Sequence, residues 1–267
     1  MFAINGYSPN DMPFTLSHAV LAPPLSKLSQ GHLPVAALAI GCMTPDLYRL
    51  FTQENTPLTH QWAGILFPNL PLGLCFCLVW YILYRPVTYR CLEIQDPLGI
   101  KSLDDFISFS FLNCIALIIG ISTHLIWDGL THLDFRTFAF KETLAQNISL
   151  WGFNYPLHFV LQIGSSILAL PFLIKMCWDY YKTHKYHHPV PSKLKGFALI
   201  SMILSILYGL FSVFDYNRHI NTDLWNTERY FFIGKSINEF TQAGLTVFTM
   251  ACLLFLFLDR TGRSKSF

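Results

Sequence analysis

The sequence has too few charged residues to cover the surface of a soluble globule. Only 13% of its 267 residues are Asp, Glu, Lys or Arg, and 52% are hydrophobic. Soluble domains carry about 25% charged residues. The net charge of +2 is too small to indicate a nucleic-acid-binding protein, and we expect no nucleic-acid partner. The composition predicts an integral membrane protein.

The N-terminus lacks the features of a secretory signal peptide. Residues 1–11 have neither a basic start nor an apolar core of the usual length, so we interpret them as a disordered extension. The seven cysteines form no C-x-x-C pair and lie mostly in apolar segments. This placement favours small buried side chains over disulfides or thiolate ligands.

Five apolar segments are long enough to cross a bilayer, which takes about 20 helical residues. They cover residues 62–84, 106–127, 155–178, 197–214 and 231–258. Pro68 and Pro71 predict a kink in the first of them. The shorter segments 14–28 and 33–43 predict re-entrant or interfacial helices. We therefore predict an all-α, multi-pass membrane protein, with one helical domain over residues 12–258 and a basic cytoplasmic tail over residues 259–267.

The distribution of positive charge predicts the orientation of the five segments. Eleven of the 18 Lys and Arg residues fall on the side that holds loops 85–105 and 175–195 and the tail. The positive-inside rule places that side in the cytoplasm.

Several histidines and aspartates are predicted to lie together on the opposite side. His124 and Asp128 are four residues apart at the end of the second segment, so they share one helix face and can reach a single divalent ion. Their predicted neighbours on that side are His18, Asp46, His60, His132 and His158. A carboxylate near lipid is costly unless it is paired or bound to a cation. The alternative is a set of interfacial histidines that hold no metal.

Residues 12–180 contain several short motifs: MPFTLSH (12–18), MTPD (43–46), TH (59–60), THLIWD (123–128) and LQIGSS (161–166). In their order and wording these motifs resemble a bacterial membrane family known as domain of unknown function 4184. Their ordered His and Asp residues are similar to those of membrane-bound metal-dependent hydrolases and, distantly, of zinc-dependent phospholipase C.

The resemblance implies an all-helical site that cleaves phosphodiesters. It implies that the metal ligands are His18, Asp46, His60, His124 and Asp128, with His132 and His158 as further candidates. The phospholipase pattern has a carboxylate four residues after its last histidine, where this chain has Gln162. An amide is a poor zinc ligand, so we expect one or two divalent ions, most simply zinc, instead of three.

Other polar residues lie within the apolar segments. Gln162 and Ser165 are predicted to bind substrate, although hydrogen bonding between helices around Gly164 also explains them. Glu239 is a catalytic candidate beside Asp128, because a carboxylate inside a membrane is often functional; the alternative is that Lys235 neutralises it.

The loop between the second and third segments carries several aromatic residues. It is interpreted either as a cover over the site or as an interfacial belt. Four loop residues are interpreted as solvated and without a role: Asp134, Arg136, His219 and Asp223.

The leading hypothesis is a metal-dependent hydrolase in the bacterial inner membrane, with its site on the periplasmic side. Its partners are membrane lipid and a lipid or lipid-linked phosphoester substrate, and the oligomeric state is left open. The alternatives are a non-enzymatic metal-binding or transport protein and a metal-free scaffold. A transport path is disfavoured because the first and fourth segments contain almost no polar residues.

Overall fold

The computed structural model describes residues 15–52, 56–150, 152–186, 190–227 and 229–260, which are mostly helical. The helices are α1 (Thr15–His18), α2 (Ala22–Leu28), α3 (Val35–Leu47), α4 (Leu70–Val79), α5 (Arg85–Leu92), α6 (Leu103–Thr131), α7 (Lys141–Leu144), α8 (Leu157–His184), α9 (Ser192–Asn217), α10 (Thr222–Thr227) and α11 (Arg229–Arg260). Strands β1 (Asn147–Leu150) and β2 (Phe153–Pro156) form one antiparallel hairpin. The predicted extension 1–11 and most of the predicted tail lie outside the described residues.

Five helical segments are long and apolar enough to cross a membrane, which confirms the predicted all-α, multi-pass membrane protein. They are Trp62–Leu92, Leu103–Thr131, Leu157–His184, Ser192–Asn217 and Phe231–Asp259. Each segment is longer than its predicted apolar core, because polar residues extend the helix at one or both ends. Among the shorter helices, α3 extends past the predicted segment 33–43 and carries Asp46 in its last turn.

The first spanning segment is broken near its start, as Pro68 predicts. Phe67 has an extended backbone (φ −151°, ψ 122°), a conformation that the residue before a proline favours. Pro71 lies in the first turn of α4, where a missing backbone N–H costs nothing. The chain therefore enters the span through irregular turns, and His60 lies at the end of one of them, the 3₁₀ turn Pro57–His60.

The described chain forms two compact units. The first unit contains α1 to α3, α4 up to Cys77, α6, α7, the hairpin and α8 up to Tyr180. The second unit contains α5, α9, α10 and α11, with a core of Val87, Leu194, Cys252 and Phe255.

In the first unit, α3 packs closely along α6 through two glycines. A Cβ atom on Gly41 would lie 2.6 Å from the Leu117 carbonyl oxygen, and one on Gly120 would lie 2.5 Å from the Leu38 carbonyl oxygen. Small residues allow this backbone approach, as is common between membrane helices. The helices run in the same direction, because residue numbers rise together along the contact. The end of α3 is thereby placed beside the last turns of α6.

Candidate metal centre

Four predicted ligands from three elements of the first unit lie close to one another around His124. Asp46 comes from α3, His60 from the 3₁₀ turn, and His124 and Asp128 from successive turns of α6. His60 Nε2 lies 3.1 Å from Asp46 Oδ1 and 3.9 Å from Asp128 Oδ2, and His124 Nε2 lies 3.4 Å from that same Oδ2. Ligand atoms at about 2.0–2.2 Å from a tetrahedral zinc ion are separated by about 3.3–3.6 Å. The observed separations bracket that range.

The hydrogen bonds of His124 determine which of its nitrogens faces the cluster. Its Nδ1 lies 2.8 Å from the backbone carbonyl oxygen of Cys42, so Nδ1 carries the proton and donates it there. In the neutral ring Nε2 then presents a lone pair. Among the described residues Nε2 has no hydrogen-bond partner, and the oxygens that face it belong to Asp128 and Asp46. A lone pair directed at carboxylates is unfavourable unless a proton or a cation lies between them.

His60 is oriented in the same way. Its Nδ1 lies 2.9 Å from Thr59 Oγ1, and the Thr59 hydroxyl donates its own proton to the Thr56 carbonyl oxygen. The Thr59 oxygen therefore accepts from Nδ1–H, which leaves the Nε2 lone pair directed at Asp46. Asn69 stabilises this turn, because its amide donates a 2.7 Å hydrogen bond to the Thr59 carbonyl oxygen.

Burial and neighbouring charge set the ionisation of the cluster residues that lie outside the spans. Burial and the neighbouring His124 together lower the pKa of His18 to about 3, although the Asp128 and Asp46 carboxylates oppose this shift. Burial also lowers the pKa of His60, although Asp46 opposes this shift. For Asp46, burial alone raises the pKa, but the neighbouring His124, the contact with His60 and the Arg49 charge outweigh it and bring the pKa below its ordinary range. These directions favour the neutral imidazole for His18 and His60 and the ionised carboxylate for Asp46.

His18 lies on the other side of the Asp128 carboxylate. Its Nε2 is 3.8 Å from Asp128 Oδ1, and its ring stacks on His124 with centroids 4.1 Å apart. Two triads have ligand atoms within 4.8 Å of one another: His18, His124 and Asp128, and Asp46, His60 and His124. Because His124 has only Nε2 left for coordination, it can serve one ion at a time. Asp128 can serve two, since Oδ2 faces His60 and His124 while Oδ1 faces His18.

His132 differs from His60 because the hydrogen-bond partners of both of its ring nitrogens are groups other than carboxylates. Nδ1 lies 3.2 Å from the Asp128 carbonyl oxygen, and Nε2 accepts from the Gln162 amide at 2.9 Å. Gln162 therefore positions His132. The ring edge of His132 also faces Asp128, with Nδ1 3.6 Å from Oδ1.

The interpretation of Asp134 and Arg136 as solvated residues is wrong. The Arg136 side chain is only 4% exposed, and its guanidinium donates through Nε and Nη2 to Asp134 and through Nη1 to Asp128 Oδ2 at 3.4 Å. The turn that follows α6 causes this, because the Arg136 backbone N–H bonds to Asp134 Oδ1 and the Thr137 hydroxyl bonds to the His132 carbonyl oxygen. The sequence signal is Asp-x-Arg-Thr directly after a helix end, a pattern typical of side-chain-capped turns. His219 and Asp223 are exposed, as predicted.

This turn lies against α6 at Gly129, next to Asp128. A Cβ atom there would lie 2.1 Å from the Phe138 ring and 3.1 Å from the Arg136 carbonyl oxygen. The residues directly after α6 therefore cover the last turn of that helix, and the absence of a side chain at position 129 permits it.

The other predicted site residues of the first unit, His158 and Ser165, are not joined to the cluster in the part of the chain that the structure describes. His158 is buried in the first turn of α8, and no hydrogen bond or ion pair links it to the other predicted ligands. The Ser165 hydroxyl donates to the Gln162 carbonyl oxygen of its own helix. Glu239 belongs to the second unit, where its Oε2 accepts a 2.9 Å hydrogen bond from Ser212. Their roles in metal binding, substrate binding and catalysis stay predictions.

Comparison with known proteins identifies a family. The family model described as Domain of unknown function (DUF4184) matches residues 12–258, which include every residue of the cluster. Neither a curated protein nor a solved structure matches the chain.

Proposed function

The chain belongs to the family described as Domain of unknown function (DUF4184), and we propose that its buried His and Asp cluster is a metal centre that hydrolyses a phosphoester of a membrane lipid or lipid-linked substrate. The observation that carries the proposal is the buried Nε2 of His124, which has no hydrogen-bond partner among the described residues and faces two carboxylates. A divalent cation at that point satisfies the nitrogen and both carboxylates together.

The donor set fits zinc best. Two imidazole nitrogens, from His60 and His124, and two carboxylate oxygens, from Asp46 and Asp128, form the borderline mixture that zinc accepts. A second ion can use His18 with the outer oxygen of Asp128, so we propose one or two ions. The Thr59 and Cys42 oxygens that accept from the two Nδ1–H groups fix the tautomers, as partners of metal-bound histidines usually do.

The order of these residues along the chain also supports hydrolysis. The chain presents a His, then an Asp, then a His fourteen residues after that Asp, and finally an H-x-x-x-D pair. This order is similar to the ligand order of membrane-bound metal-dependent hydrolases and zinc-dependent phospholipase C. Gln162, which replaces a carboxylate of the phospholipase pattern, is bonded to His132. That hydrogen bond supports a smaller number of ions in this chain.

The proposed reaction adds water to phosphorus and breaks the ester P–O bond. A divalent ion supplies Lewis acidity at the site, lowering the pKa of water there towards about 7 and polarising a phosphoryl oxygen. With a single ion bound, Asp128 is placed to accept a proton from water through the oxygen that faces His18. The leaving alkoxide takes up a proton, so the products are an alcohol and a phosphate monoester, or inorganic phosphate from a monoester.

The membrane context favours an amphiphilic substrate. His124 and Asp128 lie in the last two turns of α6, whose length and hydropathy suit a membrane span, so the cluster belongs near one end of that span. Lipid headgroups occupy that depth. The excess of Lys and Arg on the opposite side supports a periplasmic location for the site in a bacterial inner membrane.

The experiment measures metal content and hydrolysis in the same preparations. Wild type, Asp128→Ala and the matched control Asp179→Ala are purified in detergent, analysed for metals and assayed with bis(p-nitrophenyl) phosphate. Asp179 is a half-exposed aspartate of α8. We expect about one or two zinc ions per chain and activity in wild type and the control, and a loss of both in Asp128→Ala. Equal, near-zero metal in all three overturns the proposal, and full metal without hydrolysis supports a non-enzymatic metal-binding protein instead.

A further inference from the structure

Each of the two aspartates that face His124 also has an arginine beside it. Arg136 Nη1 lies 3.4 Å from Asp128 Oδ2, and Arg49 Nη1 lies 3.7 Å from Asp46 Oδ1. The Asp128 oxygen that contacts Arg136 is the same one that faces His60 and His124. Positive charge is therefore held directly next to the proposed position of a divalent cation.

Arg136 is held there rigidly. Its guanidinium forms a fork on Asp134, and its own backbone N–H bonds to the same carboxylate at 2.8 Å. Two nitrogens of the guanidinium are thereby fixed, and Nη1 is directed at Asp128. With Nε and Nη2 bonded to Asp134, the edge that faces the cluster is Nη1, and a charged N–H donor held in this way suits hydrogen bonding to a phosphate oxygen.

Once a cation is bound to Asp128, the Arg136 guanidinium is no longer needed to neutralise that carboxylate. An ion bonded to Asp128 Oδ2 at about 2 Å would lie within roughly 5.5 Å of Nη1. Two positive charges at that separation in a buried site repel each other. An anion that contacts both of them removes the repulsion, and a metal-bound phosphate group is long enough to reach Nη1 through a hydrogen bond of about 2.9 Å.

The net charge of the described cluster also supports an anionic ligand. With neutral histidines, three carboxylates (Asp46, Asp128 and Asp134) and two guanidinium groups (Arg49 and Arg136) leave one negative charge. One divalent ion converts this to one positive charge. The loaded site then attracts an anion, and the positive groups next to the ion are the arginines.

We propose that Arg136 and the metal together bind one phosphate group of the substrate, with Arg136 contacting a phosphate oxygen that the metal does not hold. This inference rests on the proposed metal centre. It identifies Arg136, which lies outside the His and Asp motifs, as a substrate-binding residue that contacts a phosphate group.

The test measures metal content and phosphate affinity separately. Wild type, Arg136→Gln, Arg136→Lys and the control Arg218→Ala are purified and loaded with zinc, and zinc content and the dissociation constant for inorganic phosphate are determined at fixed ionic strength. Arg218 is an exposed residue at the end of α9. We expect zinc in all four proteins. Phosphate binding should be at least about tenfold weaker in Arg136→Gln and intermediate in Arg136→Lys, which keeps the charge but loses the fork.

The outcomes separate this inference from the proposed function. Zinc-loaded Arg136→Gln and Arg136→Lys that bind phosphate as wild type does overturn the role of Arg136 and leave the metal centre intact. Wild type that holds no zinc overturns the metal centre and the inference together. Acetate bound as tightly as phosphate overturns the phosphate class. If Arg136→Gln does not fold, Arg136→Lys alone decides, because it keeps a positive charge at this position.

A second titration identifies the source of the phosphate. Dihexanoylphosphatidic acid, kept below its micellar concentration, presents the same headgroup on short acyl chains. Tighter binding of this lipid than of inorganic phosphate assigns the site to a lipid headgroup, and equal binding assigns it to a soluble phosphate. In both cases the affinity should fall in Arg136→Gln, and an affinity that does not fall contradicts the proposal.

Discussion

The Nδ1–H of His124 on α6 donates a 2.8 Å hydrogen bond to the backbone carbonyl oxygen of Cys42 on α3. Within α3 this carbonyl would ordinarily accept from the residue four positions later, which is Asp46. This hydrogen bond between the two helices orients the histidine ring and sets its tautomer. The lone pair on Nε2 then faces Asp46 and Asp128. The packing of α3 on α6 therefore controls the chemistry of the site.

The first prediction tests that packing. Gly41→Ala should lower stability by about 1–3 kcal/mol, because the new Cβ meets the Leu117 carbonyl oxygen of α6 at 2.6 Å. Gly164→Ala is the matched control, since a Cβ there meets nothing within 4 Å. The control should be neutral or stabilising by about 0.5–1 kcal/mol. Thermal unfolding in detergent measures both, and equal midpoints for the two variants would contradict the close helix contact.

The second prediction concerns the oxygen that orients His60. Thr59→Val removes the acceptor of the Nδ1–H bond and should weaken zinc binding about 10- to 100-fold, the usual effect of losing such a partner. Thr246→Val is the control, because that hydroxyl belongs to an exposed residue and bonds to the Gln242 carbonyl oxygen of its own helix. Competition with a chelator of known zinc affinity gives the dissociation constants. Unchanged zinc affinity in Thr59→Val would show that His60 does not bind the ion through Nε2.

The third prediction decides the role of His132. Gln162→Leu leaves His132 Nε2 buried without its donor and should destabilise the protein by about 1–3 kcal/mol. Zinc content should not change, because the ring is bonded on both nitrogens and is not needed as a ligand. Gln146→Leu, at an exposed position before β1, is the control for both readouts. A fall in zinc content without a change in stability would instead make His132 a ligand, as its sequence position predicts.

The fourth prediction is the pH dependence of the ion pair between Asp134 and Arg136. Burial raises the pKa of Asp134, but the hydrogen bonds and charge of Arg136 outweigh it and hold the pKa below its ordinary value of about 3.9. The pair therefore stabilises the fold fully above that ordinary value, and its contribution is lost as the pH falls towards the folded-state pKa. The difference in thermal midpoint between wild type and Asp134→Asn should be constant above about pH 5 and should shrink below about pH 4. A difference that grows on acidification would contradict the pairing.

The spanning helices and the main ligand pairs are predictable because they depend on local patterns. Hydropathy over about 20 residues defines a span, and the spacing of His124 and Asp128 places both on one face of α6. The roles of Arg136 and Gln162 are not predictable in this way. Arg136 reaches Asp128 only because a turn at Asp134 reverses the chain, and Gln162 meets His132 across thirty residues. Tertiary packing determines these contacts, and hydropathy and spacing do not report it.

The tautomers of the histidines also require the structure. They depend on the Cys42 carbonyl and on the Thr59 hydroxyl. From the sequence, Cys42 is only a small residue in an apolar segment, and Thr59 is only the first residue of a Thr-His pair.

X-ray absorption at the zinc edge of the purified, zinc-loaded protein tests the central claim most directly, because it reports which atoms surround the ion. The account predicts nitrogen and oxygen neighbours at about 2.0–2.2 Å with outer-shell scattering from about two imidazole rings. The same measurement on His124→Ala should lose one ring and most of the bound zinc. Sulfur neighbours at about 2.3 Å, or a wild-type protein that retains no zinc at saturating concentration, would contradict it.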